Sequence, residues 1–413
     1  MWQSCFCGQA SDMDFVEFQE ENMPLFISNQ DQEKAITAKD AVDALEKGIR
    51  QFAKGNAIRR PRIDNFIPTR RADQFFGFSS MEGGIREPGY YALRIKPDII
   101  SWPTINGLRR RVTYCSRPGL YGGLVFLFNV DNAELLAIMN DGFIQHYRVA
   151  AAAAIGAKYL ARHDAKVVGI IGSGGMARSF AEAFKVVRNI SKIKVFSPNR
   201  EHLNQYVRDV SKKVDCEIVP VEGAKDVLAG SDIVATCTNA YQPVVEGKWL
   251  EEGSHFANVT AYEVGPDLFS RITVVGLFVR RMPMSAGTLI DDDFALRIDG
   301  MTYAAGTEEE RAKIPPHSAK LQDRGEDRKR FPNAVYVDCV NWETGEAYRR
   351  SSVNEISTLE NNSYGTLPGD AAHSAGIQGI QFASVGGRIY ELAKKQELGQ
   401  QLPMEMFLQD IPT

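Results

Sequence analysis

Val167-Val168-Gly169-Ile170-Ile171-Gly172-Ser173-Gly174-Gly175-Met176-Ala177 is the run on which the reading of this chain turns. An apolar stretch of the buried, parallel-strand kind enters a glycine-rich turn and leaves in a helix-forming segment, MARSFAEAFKVV. The turn fits G-x-G-x-x-A. Gly172 permits the tight bend, Gly174 lets a backbone approach a pyrophosphate, and Ala177 keeps the helix close to its strand. The first turn of such a helix presents unpaired N–H groups and a positive dipole end, which suit phosphates. A glycine motif in this strand–turn–helix setting predicts dinucleotide binding through Gly172, Ser173, Gly174, Gly175, Met176 and Ala177.

The alternation continues downstream. KIKVFS (192–197), EIVPV, SDIVATCT and SHFANVT read as strands, with REHLNQYVRDVSKK and DVLAG as the intervening helical pieces. Alternating strands and helices predict a parallel sheet covered on both faces. The second strand ends at Ser197-Pro198-Asn199-Arg200, where an NAD-binding unit normally carries an acid for the ribose 2′-hydroxyl. Ser197, Asn199 and Arg200 suit a 2′-phosphate instead, so NADP(H) is favoured; the adjacent Glu201 keeps NAD(H) possible. Thr236, Cys237 and Thr238 follow the fourth strand and are expected beside the nicotinamide ribose, with Val259 at the next strand end.

Upstream, Asp141 opens a long helix, GFIQHYRVAAAAAIGAKYLAR (142–162), whose five alanines favour helix and permit close packing. Residues 62–130 carry short strand-like runs among Gly and Pro: YYALRIK (90–96), RRVTYC (110–115) and GLVFLFNV (123–130). TAKDAVDALEKGIRQFAK (37–54) reads as a helix capped by Thr37 with Asp40. Residues 1–30 read as an irregular arm, 284–334 as a solvated excursion, and SAGIQGIQFASVGGRIYELAKKQ (374–396) as a final helix with a glycine-rich start.

The chain has 413 residues, 44% hydrophobic and 24% charged, with a net charge of −4. Its length predicts two or three domains, and its composition excludes a wholly disordered chain. The near balance of charge points away from nucleic acid. Six scattered cysteines with no C-x-x-C pair do not make a disulfide scaffold, and Cys5-Phe6-Cys7 has no second Cys/His pair nearby, so no metal is expected. No signal peptide or membrane-length apolar run is visible, so a cytoplasmic protein is expected.

Several stretches together resemble the ornithine cyclodeaminase/mu-crystallin family. QHYRVAAAAAIGAKYLAR (145–162) is similar to that family's R-T-A-A helix and leads straight into the glycine motif. LAGSDIVATCTNAYQPVVEGKWLEEGSHFANVTA (228–261) and QFASVGGRIYELAKKQELG (381–399) are similar to further family segments. The resemblance implies an α/β fold: a Rossmann-type parallel-sheet domain, expected at 141–359 with an insertion at about 284–334, plus a mixed α/β substrate-binding and dimerisation domain from 1–140 and 360–413.

The resemblance also implies an oxidoreductase that uses NAD(P)H to reduce a C=N bond in an α-imino acid or cyclic ketimine, working as a homodimer. The alternatives within the family are an ammonia-releasing amino-acid cyclodeaminase and a non-catalytic binder. Arg148 matches the arginine that grips the substrate carboxylate, a task suited to its planar fork. Arg94 stands at the position of a family lysine, and Lys96 lies on the same strand face; either could serve. Arg62 and Met81 match further substrate-binding positions. Tyr262 replaces the cyclodeaminase aspartate, with Glu263 beside it as a proton donor or amine ligand and Asp267 a weaker candidate.

Overall fold

The computed structural model describes residues 23–60, 62–105, 107–278, 331–360 and 377–409, with short pieces at 297–299, 302–304, 309, 312–314 and 411. Its framework is two large sheets joined by buried helices. The smaller is wholly parallel and has eight strands in the order Glu217–Pro220, Lys192–Phe196, Val167–Ile171, Ile233–Thr236, His255–Asn258, Ser357–Glu360, Val274–Leu277 and Val335–Asp338. The first five positions follow the 3-2-1-4-5 order of a dinucleotide-binding sheet. The crevice at the carboxyl ends therefore opens between Val167–Ile171 and Ile233–Thr236, where the order reverses.

Ser357–Glu360, the last of these strands in the chain, wedges between His255–Asn258 and Val274–Leu277. The wedge is held by buried polar bonds. His255 Nδ1 lies 3.0 Å from Ser357 Oγ, which donates to the Leu160 carbonyl at 3.1 Å. Burial pushes the His255 pKa from 6.5 to about 3, so the folded state holds a neutral ring. The unfolded chain then binds more protons below pH 6.5, and stability falls as pH falls. We expect His255 alone to cost about 2 kcal/mol between pH 7 and pH 5. Denaturant titrations of wild type and His255→Asn at both pH values check this, because the variant should lose that share of the pH dependence.

The larger sheet is mixed, with eleven strands, and its central run is Ile63–Pro68, Phe75–Ile85, Tyr90–Ser101, Leu124–Asn129, Leu135–Asn140 and Leu25–Ile27. The expected arm at 1–30 needs correction in part: Leu25–Ile27 is a strand paired with Ala137–Met139, and residues 1–22, Cys5 and Cys7 included, lie outside the described residues. Most of 284–334 also lies outside them. Its described strands Arg297–Asp299 and Thr302–Ala304 join the larger sheet beside Ile63–Pro68 rather than the parallel one.

Helix Ala38–Ala53 starts at Thr37 with the reciprocal Asp40 cap read from the sequence. Helix Asp141–Leu160 buries all five alanines, Ala150 to Ala154, which lets neighbouring elements approach closely. The C-terminal helix Gln378–Lys395 lies across the inner face of the larger sheet. A Cβ on Gly379 would overlap the Glu82 carbonyl, so glycine sets this close approach.

Candidate functional site

The glycine turn behaves differently at its two key positions. Gly172 has φ +112°, its N–H donates to the Phe196 carbonyl at 2.8 Å, and an added Cβ would overlap the Cys237 carbonyl. Gly174 caps helix Gly175–Val187 with φ −79°, and an added Cβ there would meet nothing within 4 Å. The turn is thus packed on its floor and open in front of the helix's first N–H groups. That open cradle fits a dinucleotide pyrophosphate. Gly175 packs on the His146 ring, Ala177 is fully buried, and Met176 packs at the edge of the core.

Arg178 braces this loop: its guanidinium donates to the Ser173 carbonyl at 2.5 Å and reaches Asp209 at 3.1 Å. At the second strand end Ser197 is buried, and Asn199 accepts the His202 N–H at 2.9 Å as a helix cap. Arg200 is exposed and paired with Glu222, an acid the sequence reading did not bring to this place.

Thr236 and Cys237 are buried under the same crevice, and burial pushes the Cys237 thiol pKa up, away from nucleophile chemistry. Val259 is buried at the neighbouring strand end. Glu263 is fully buried, and its carboxylate accepts N–H groups from Thr238 at 2.5 Å, Val259 at 3.1 Å and Thr260 at 2.8 Å. It ties together the loops after two parallel strands, and burial raises its pKa. Tyr262 stacks on Tyr241 with centroids 4.2 Å apart.

The basic residues come together on the inner face of the larger sheet. Register places Met81 opposite Arg94, and Ser79 opposite both Lys96 and Asp64, so all five side chains share that face. Arg94 is buried and donates to Asp141 at 2.5 and 2.9 Å and to Ser79 at 3.3 Å. Lys96 pairs with Asp98 at 2.9 Å, and burial lowers its pKa. Arg62 pairs with Asp64 at 2.6 Å, and Met81 is core.

Arg148 reaches the same region from helix Asp141–Leu160. It is fully buried and donates to the Gln381 amide oxygen at 2.5 Å and the Gln145 amide oxygen at 2.9 Å. Its guanidinium carbon lies 5.0 Å from the Phe382 ring centroid, and that of Arg94 5.9 Å from the same ring. Sequence reasoning found the cations but not the groups that orient them. Asp141 was visible only as a helix start, while Gln381 and Phe382 lie more than 230 residues from Arg148 and carried no local signal. Among the described residues no group of three or more His, Cys, Asp or Glu could hold a metal ion, and no helix is long and apolar enough to cross a membrane.

A parallel sheet in the dinucleotide-binding strand order and a mixed sheet with buried arginines on its inner face define a two-sheet α/β class of protein. Residues 118–272 match the sequence model of the ornithine cyclodeaminase/mu-crystallin family. An uncharacterized cyclodeaminase of Sinorhizobium fredii is 28% identical over 219 residues, covering 52% of this chain and 61% of the relative. A Delta(1)-pyrroline-2-carboxylate reductase of Bacillus cereus is 25% identical over 240 residues, 58% of this chain and 68% of the relative. The ketimine reductase mu-crystallin of Macropus fuliginosus is 24% identical over 241 residues, 58% and 71% respectively.

The chain thus spans about three fifths of the first of these relatives (61%). The fold extends further. The Thermococcus litoralis Delta(1)-pyrroline-2-carboxylate reductase, solved with NADH and L-proline, superposes with a TM-score of 0.64 at 22% identity, covering 92% of this chain and 100% of that one. An archaeal alanine dehydrogenase dimer with bound NAD gives 0.62 at 20% identity, covering 92% and 99%.

Proposed function

We propose that the protein is an NAD(P)H-dependent reductase of the C=N bond of an α-imino acid or cyclic ketimine, with amino-acid oxidation as the reverse reaction. The observation that carries this is Arg148, buried with its fork held by two amide oxygens in a basic cleft facing an open dinucleotide cradle. A bound nicotinamide would supply the hydride. The chain's own task is to fix the imine carbon beside it, and such positioning is a large part of acceleration in a two-reactant step.

Arg148 takes the substrate carboxylate, its stacking on Phe382 keeping the fork planar to the acid. Arg94 and Lys96 stay paired with Asp141 and Asp98 and wall the same face of the larger sheet, leaving the carboxylate to Arg148. Glu263 is a positioning residue that holds the strand-end loops beside the cofactor site. Arg200 supports NADP(H), while its partner Glu222 and neighbour Glu201 favour the unphosphorylated cofactor, so the assay is run with both. Purified protein is mixed with NADPH or NADH and a panel of cyclic ketimines and keto-acid/ammonium mixtures, followed at the reduced-nicotinamide absorbance. Substrate-dependent loss of that absorbance is the expected result. Ammonia release from L-ornithine or L-lysine with no net cofactor change would replace it with the cyclodeaminase reading, which a stacked Tyr262 in place of the aspartate disfavours.

The working unit in this proposal is a homodimer. The outer face of the larger sheet carries Phe76, Phe78, Leu93, Ile95, Ile99, Leu124, Phe126 and Ile138 in register, half-buried or exposed. An apolar patch of that extent marks an interface. Wild type is expected to sediment as a dimer and Phe126→Asp as a monomer; a monomeric wild type would refute the arrangement.

A further inference from the structure

Arg111 is a cation at the junction of the two sheets that the proposed reaction does not use. It follows the hairpin of Thr104–Ile105 and Leu108–Arg109 and precedes strand Val112–Tyr114. Thr113 pairs with Ile100, an inner-face residue, so alternation puts residue 111 on the face that carries Lys96 and Asp98. The chain just before it is anchored to the parallel sheet. Arg110 bridges Ala240, and the Tyr241 N–H donates to the Arg109 carbonyl at 3.1 Å. Arg111 is therefore held beside the loop that follows Thr236, at the mouth of the nicotinamide end of the crevice.

Arg111 is half-buried, and among the described residues its Nε is buried without a hydrogen-bond partner and no acid forms an ion pair with it. Its charge reaches Lys96, whose pKa it helps to lower. The neighbouring cations differ in this respect. Arg94 sits on Asp141, Lys96 on Asp98 and Arg62 on Asp64, so each of those pairs is neutral. A half-buried positive charge with no acid beside it favours an anionic ligand. The substrate's α-carboxylate already belongs to Arg148 in the proposed function.

We infer that Arg111 binds a second acidic group at the far end of the substrate side chain, so the preferred substrate is the imine of an amino dicarboxylic acid. This rests on the reductase reading for turnover, and a binding measurement keeps the two separable. The test compares the imines formed from 2-oxoglutarate and from pyruvate with ammonium, in wild type, Arg111→Gln and Arg111→Lys. In parallel, cofactor-loaded protein is titrated calorimetrically with L-glutamate and L-alanine.

Arg111→Gln is expected to lower kcat/KM for the dicarboxylic imine about 100-fold, as loss of a charge-assisted hydrogen bond does, and the pyruvate imine less than about threefold. Arg111→Lys should recover part of the loss, which a purely structural role would not give. Equal loss on both imines, or no preference of wild type for the dicarboxylic ligand in either measurement, overturns the assignment. If no imine is turned over yet L-glutamate binds more tightly than L-alanine only when Arg111 is present, the reductase reading falls and the Arg111 assignment stands.

Discussion

Arg148→Ala is expected to reduce kcat/KM for an α-imino acid by roughly three orders of magnitude, about 4 kcal/mol, while the dissociation constant for the reduced cofactor stays within about threefold. The loss is large because the fork is preorganised. Gln381 and Gln145 hold two of its nitrogens and Phe382 lies against its face, so a carboxylate bound there as proposed would meet a fixed, desolvated partner. Both KM and kcat should suffer, since the carboxylate contact also sets the imine's position over the cofactor. Arg148→Lys keeps the charge but not the bidentate geometry and should retain only part of the activity. Steady-state kinetics with a cofactor fluorescence titration checks the split. An equal loss of cofactor binding would assign Arg148 to the fold rather than to the substrate.

Gly174→Val separates folding from cofactor binding. The residue has φ −79° and ψ −173°, an extended conformation that a β-branched side chain accepts, and its Cβ would enter open space. We expect a Tm close to wild type and cofactor affinity at least about 100-fold weaker, because the valine fills the volume a pyrophosphate needs. Gly172→Ala provides the contrast. At φ +112° with the Cys237 carbonyl in the way, it should cost on the order of 2–4 kcal/mol of stability before any binding is measured. Normal cofactor affinity in a well-folded Gly174→Val protein would refute the placement of the dinucleotide.

Much of this was legible in the chain. The strand, the turn and the helix of 167–187 are local structures, fixed by a buried apolar run, two glycines with distinct backbone tasks and an alanine at the close contact. The Thr37–Asp40 cap is equally local, two residues meeting within one turn. Arg94 and Lys96 share a face because a strand repeats every two residues. Their engagement by Asp141 and Asp98 was not legible as a pairing, because acids at many positions could have met them.

What the sequence determined by itself is what short-range hydrogen bonding and side-chain periodicity dictate: the parallel alternation, the glycine turn between strand and helix, and the presence of Arg148 on the helix that precedes it. The tertiary structure decided the rest. It wedged Ser357–Glu360 inside the parallel sheet and placed Thr302–Ala304 on the larger one. It brought Gln381 and Phe382 to Arg148 and left Arg111 without an acid among the described residues. These contacts join residues far apart along the chain. Their partners are selected by burial and shape complementarity after the elements form, and no local pattern encodes that choice.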